Sequence, residues 1–197
     1  MYKRQKWKHP HKLDRSLQPH FHQGPADLNS DESLIAVTIN TDLQFPDRKD
    51  KEHNYTLGIY FSKFNGEQWS EYEPFPYNSR DYNIAHPLFY NDTTLIFVSD
   101  KTEDNLGGSD LFVSHFIDGK WSTPKNMGPK INSNRDEKFP TSNKLGILYF
   151  SSNRVGTRNY DIFYSYKDAK EQWNGAIKYD EINTGCLLYT SPSPRDA

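Results

Sequence analysis

The chain has 197 residues, of which only 34% are apolar, and a mean hydropathy of −0.93. Its 24 basic and 26 acidic side chains leave a formal charge of −2, which excludes the global field that would draw in nucleic acid or an anionic membrane. Aromatic residues reach 15%, with 13 Tyr, 12 Phe and 4 Trp; that content argues against disorder and for a core built mainly of rings.

At the start of the chain Lys3, Arg4, Lys6, Lys8 and Lys12 cluster, a charge run read as a solvated strand face or frayed end rather than a nucleic-acid contact. The pairs His9/His11 and His20/His22 would each share one face of a strand, as metal ligands can. With no cysteine partner and with Pro10 and Phe21 interleaved, they read as structural. No stretch approaches the roughly 20 apolar residues of a membrane span, and the first residues lack the apolar segment of a secretion signal. An exported parent would therefore begin upstream of Met1.

A repeat organises the rest of the chain. Trp69, Trp121 and Trp173 stand 52 residues apart, and each comes shortly after an apolar run, IYFS at 59–62, LFVS at 111–114 and IFYS at 162–165. A proline opens each unit: Pro25, Pro87 and Pro140 follow Trp7, Trp69 and Trp121 by 18, 18 and 19 residues. Trp7 to Trp69 is 62 residues, and the ten extra fall in the charged stretch around FPDRKDKEHNY, a surface loop inserted at 41–57.

In the second unit PLFYND, TLIFVSD, SDLFVSHF and KWSTPKNM are separated by the turn formers Asn91-Asp92, Gly107-Gly108 and Asp118-Gly119. The third unit continues with GILYFSSN, YDIFYSYK and QWNGAIKY. Four short strands per unit at a period near 50 predict an all-β fold, a partial β-propeller of about three four-stranded antiparallel blades whose ring is not closed. The units run 20–83, 84–136 and 137–185, with 1–19 as the last strand of a preceding blade. The unbroken runs Leu95–Val98 and Ile147–Phe150 require cover on both faces, which stacked blades provide. No helical stripe supports the rival helical solenoid. The last residues, CLLYTSPSPRDA at 186–197, break the pattern and resemble a translated transposase sequencing adapter. The natural sequence would then stop near Gly185, and the lone Cys186 would carry no thiol chemistry.

Taken in order, HQGPADLNSDESLIAVTIN, AHPLFYNDTTLIFVSD, GGSDLFVS, DGKWSTPKNMGPKINSNRDEKFP, LYFSSNR and YDIFYS resemble the TolB-like or WD-like propeller repeats of Bacteroidetes OmpA-family outer-membrane proteins. The resemblance covers roughly Trp7 to Thr184. The third unit departs from it, with NRVGTRNYD at 153–161 in place of a glycine-rich turn. What the resemblance implies is a non-catalytic interaction scaffold in the periplasm, associated with the outer membrane, without a cofactor and with other envelope proteins as partners. The peptidoglycan-binding domain of that family has no counterpart in these residues, so peptidoglycan would be reached only through another domain.

Candidate chemistry is sparse. Asp110 and Asp161 each precede a strand, but their 51-residue spacing places them in successive blades. Each is expected to accept turn N–H groups rather than to form an acid–base pair. Asp100, Glu103, Asp104 and Asp110 offer the oxygen ligands calcium takes, without the spacing of a known loop, and read as a solvated connection. His86, before Pro87, reads as structural, and no nucleophile elbow or phosphate loop is present. Trp7, Trp69, Trp121 and Trp173 are expected to pack between blades. Two other functions fit the same pattern: the propeller domain of a hydrolase such as a prolyl-oligopeptidase-like peptidase or a glycosidase, and a carbohydrate- or peptide-binding propeller. Open strand edges template further pairing, so poor solubility in isolation is expected.

Overall fold

The computed structural model describes residues 23–40, 56–157 and 159–183. Trp7, the basic run, the two histidine pairs, residues 41–55 of the insertion, and Cys186 with its tail lie outside these. Among the described residues there are strands and turns and no helix.

Three antiparallel sheets stand in an open row, each a meander. The first is β1 (Gln23–Leu28), β2 (Leu34–Asn40), β3 (Leu57–Lys63) and β4 (Glu73–Pro74). The second is β5 (Ile84–Asn91), β6 (Thr94–Ser99) and β7 (Asp110–Ile117), with β8 (Lys120–Trp121) and β9 (Lys125–Asn126) both pairing with β7. The third is β10 (Glu137–Ser142), β11 (Leu148–Ser152), β12 (Asp161–Ser165) and β13 (Ile177–Lys178). The first strands β1, β5 and β10 lie side by side. Turn chemistry fixes the hairpins: between β7 and β8, Asp118 and Gly119 adopt φ of 50° and 78°, the left-handed pair that a two-residue hairpin turn demands.

Every residue of β6 is buried, because its two faces serve two seams. Between the first and second sheets lie Ala36, Ile59, Phe61 and Phe75 against Ile84, Phe89, Leu95, Phe97 and Phe112. Between the second and third lie Leu88, Ile96, Val98, Leu111 and Ile131 against Leu148, Phe150 and Phe163. A smaller cluster, Val37, Ile39 and Tyr60, occupies the other face of the first sheet.

The three described tryptophans sit at the ends of hairpins and are half-buried, Trp69 and Trp173 ahead of β4 and β13 and Trp121 within β8, ahead of β9. Trp121 stacks on Phe61 of the first sheet, with ring centroids 5.5 Å apart and planes at 11°. Trp173 meets Tyr90 of the second sheet edge-on at 5.3 Å, and Trp69 packs on Phe64 of its own hairpin at 5.2 Å. Trp69 and Trp173 are each joined to the neighbouring strand by a single bridge, to Phe64 and Lys167.

The prolines mark bulges. Register slips by one residue between Gln23 and Ala26, between Ala85 and Leu88, and between Lys138 and Thr141, so Pro25, Pro87 and Pro140 each sit in an irregular step of a first strand. Proline donates no ladder bond, and such a step is where a strand tolerates it. In the first sheet the step lies opposite Thr38, whereas in the second it lies opposite Phe97, which corresponds to Val37. Pro25 is thus one pair out of step with Pro87.

An asparagine ties each third strand to the chain that comes after it. Asn78, Asn132 and Asn183 each accept the N–H of one strand residue through Oδ1 and donate through Nδ2 to its carbonyl, that residue being Ile59, Leu111 and Ile162 in turn, at 2.8–2.9 Å. The side chain stands in for a neighbouring strand where the ladder has ended. Only the Asn132 pair is fully buried. Asn132→Ala leaves the Leu111 N–H without its acceptor, and is expected to cost about 2 kcal/mol. Asn78→Ala and Asn183→Ala should cost less, and thermal melts of the three variants check that order.

Candidate functional site

Among the described residues, polar side chains converge where the second sheet meets the third. From the second sheet comes Gly107-Gly108-Ser109-Asp110, which runs alongside Arg135–Glu137 of the third. Gly108 N–H donates to the Arg135 carbonyl at 3.2 Å and Glu137 N–H to the Ser109 carbonyl at 2.7 Å. This closeness requires glycine: a Cβ on Gly107 would stand 1.8 Å from the Arg135 oxygen.

Asp136 gathers both sides. Its Oδ1 accepts from Ser109 N–H at 3.1 Å and Ser109 Oγ–H at 3.3 Å, and its Oδ2 from Tyr160 Oη–H at 2.7 Å and Asn153 Nδ2 at 3.3 Å. Lys138 Nζ lies 3.7 Å away. Burial works to raise its pKa, but Tyr160, Lys138 and Ser109 outweigh burial and hold the carboxyl below the usual range.

Glu137 is fully buried. It accepts from Ser133 N–H at 2.9 Å, from the Ser133 and Ser152 hydroxyls at 2.6 Å each, and from Arg154 at 3.1 Å. Arg154 also donates to the Ile131 carbonyl at 2.6 Å and lies 4.5 Å over the Phe163 ring. Each of the two carboxyl oxygens thus has at least one donor, as a group buried this deeply requires.

On the first-strand side of the same seam, His86 and Phe139 stack with ring centroids 4.1 Å apart and planes at 14°. Both hold left-handed φ, 54° and 53°, directly before proline, a conformation rare for bulky residues. His86 N–H donates to Thr38 Oγ1 at 2.9 Å, and its Nδ1 faces the Phe139 N–H at 3.4 Å. Burial and the nearby Lys138 ammonium push the imidazole pKa down to about 4.

The singled-out residues divide. Asp110 accepts the Leu106 turn N–H at 2.6 Å and Asn126 Nδ2 at 2.6 Å through Oδ2; its Oδ1, like Asn105 Oδ1, is buried without a donor. Asp161 pairs with Lys178 of its own sheet at 2.8 Å. In the acidic loop Asp100 accepts from Asn83 N–H and Nδ2, and Asp104 pairs with Lys101 at 2.6 Å. Among the described residues no three His, Cys, Asp or Glu side chains converge as metal ligands would. A crevice of about 90 Å³ between the first two sheets, walled by Tyr77, Tyr82, Phe97 and Phe112, is well under the roughly 300 Å³ at which small-molecule sites begin.

Sequence reasoning missed Asp136, Glu137, Arg154 and the asparagine ties. The ties carried a signal, the recurrence of Asn followed by Ser or Thr at 78, 132 and 183. The Glu137 cluster carried none, because its counterpart in the second sheet is Ile84.

No protein-family model matches the chain, and no curated protein matches it. The class that the fold defines is an all-β repeat protein of stacked antiparallel sheets.

Two measurements check the seam. Gly107→Ala is expected to destabilise by about 3 kcal/mol through overpacking, whereas Gly175→Ala, whose Cβ would meet nothing within 4 Å, should leave the melting midpoint unchanged. His86 has a folded pKa below its unfolded value near 6.5; its contribution is complete above that pH and is lost as pH falls from 6.5 through 4. The parent's midpoint should therefore fall more steeply over that window than that of His86→Phe.

Proposed function

We propose that the three sheets are blades of an open β-propeller segment and that the chain is a non-catalytic interaction scaffold of the bacterial cell envelope. On this reading it works in the periplasm, associated with the outer membrane, and its partners are other envelope proteins. The observation that carries the proposal is the use made of the polar residues: Asp136 bonds across the seam to Ser109, and Glu137, Arg154, Asn78, Asn132 and Asn183 commit hydrogen bonds to joining strands with their connecting segments. The motif resemblance to the propeller repeats of OmpA-family proteins supports the location. Among the described residues no helix is long and apolar enough to cross a membrane, which is compatible with attachment through another part of the protein.

Stacked blades present loops from successive repeats along one rim, a surface suited to proteins rather than to small molecules. Fractionation of cells producing the parent protein, followed by cross-linking, tests this. The protein should travel with the periplasmic and outer-membrane fractions and cross-link to envelope proteins; a cytosolic distribution overturns the assignment.

A further inference from the structure

The second sheet is seated on the first by an indole ring. Phe61 and Phe75 meet edge to face with centroids 6.0 Å apart and planes at 71°, and Trp121 from the second sheet stacks on Phe61 and meets Phe75 edge-on at 6.0 Å and 74°. The third sheet carries the same pair on the same face. Ladder pairings put Tyr164 where Phe61 stands, and the N–H of Tyr179 bonds the Ile162 carbonyl as the N–H of Phe75 bonds that of Ile59. Tyr164 and Tyr179 meet at 5.6 Å and 68°, the same edge-to-face geometry.

The second sheet differs at both positions, with Val113 and Met127, so the aromatic pair is not a generic feature of the repeat. The rest of the face agrees: Ile162 corresponds to Ile59, which is fully buried beneath the second sheet. Tyr149, Ile162, Tyr164 and Tyr179 are all half-buried, and Ile177, opposite Tyr164, is 41% exposed.

We propose that Tyr164 and Tyr179 form a preformed socket for a tryptophan side chain, presented by a further sheet of this same repeat that docks on the third as the second docks on the first. The inference rests on the stacked-sheet scaffold reading and names the partner of its third face. Continuity with the first seam argues for this occupant: the same face, aromatic pair and asparagine tie, here Asn183. The two tyrosine hydroxyls distinguish the socket from its phenylalanine counterpart and suit a face that meets water before it is covered. One difference restricts the fit. Tyr149 stands where the first sheet has Ala36, which leaves room there for Phe89; the docking sheet must therefore be smaller than Phe at that place, as the third sheet is with Ser142.

The test appends to the full 197-residue chain, after Ala197, a second copy of residues 82–135 in which Phe89 is replaced by Ser. Nitration of Tyr164 and Tyr179 by tetranitromethane, resolved by peptide mass mapping, is expected to slow at least about fivefold as the socket is covered, with the whole molecule melting in one transition at a higher midpoint. Trp121→Ala within the appended copy alone should restore fast nitration, and Tyr164→Phe in the socket should keep the raised midpoint. The socket is overturned if Tyr164 and Tyr179 nitrate equally fast with and without the appended tryptophan, if they already resist nitration in the unextended chain, or if the copy melts separately. Because this readout involves no envelope protein, it stands apart from the fractionation result: a cytosolic parent with a covered socket would sink the cellular role and leave the socket intact.

Discussion

The central strand β6 is buried along its whole length with apolar side chains on both faces, and that constraint shapes the rest of the molecule. A strand such as β6, with Leu95 and Phe97 turned to one side and Ile96 and Val98 to the other, gains its stability only when two neighbouring sheets remove both sides from water, at roughly 25 cal/mol per Å² of apolar surface. The sheets must therefore stack, and the stacking distance must suit rings, since Phe61, Phe75, Phe97 and Phe112 fill one seam. The polar residues have adapted to that arrangement. Where loops from adjacent sheets come together, Gly107 and Gly108 allow backbone to meet backbone, and Asp136 accepts the Ser109 N–H that the contact would otherwise strand.

Each seam solves the same geometric problem with different chemistry. Asp136 bonds Asn153 within the third sheet, and at the equivalent places in the second sheet the residues are exchanged, Asn83 bonding Asp100. Either arrangement supplies one carboxylate and one amide, so the donors and acceptors balance. Each first member also reaches back to the preceding sheet, Asn83 to the Leu57 N–H at 2.9 Å and Asp136 to the Ser109 N–H. The pair thus fixes the end of a hairpin and the seam together.

Much of the fold was legible in the sequence because its signals are periodic and local. Tryptophans 52 residues apart, doublets such as Asp118-Gly119 and unbroken runs such as Leu95–Val98 all report on backbone geometry within one unit. The tryptophans pointed to the right hairpins: the expected last strand of the third unit, QWNGAIKY, contains the outer ladder Ile177–Lys178, with Trp173 ahead of it. Proline signalled a first strand but not its register, since an irregular step can move by one pair without changing the sequence spacing appreciably, as Pro25 shows. The seam residues were out of reach for another reason. Glu137 finds its donors on Ser133, Ser152 and Arg154, a set brought together by tertiary packing and present in one seam only. The left-handed His86 and Phe139 run against the extended preference of residues before proline.

The exchanged amide and carboxylate set rules for how such a chain can be rearranged by duplication. Asn83 belongs with Asp100, and Asp136 with Asn153, so the heritable module begins at Asn83 and ends at Arg135, one residue ahead of where the strands begin. A crossover placed just before Asn83 and Asp136 transfers a matched pair and gives a viable neighbour. A crossover one residue later sets amide against amide or carboxylate against carboxylate, and the second of these puts two like charges at the end of a hairpin. Gene-level shuffling of these repeats is therefore phased by two side chains rather than by the strands they flank.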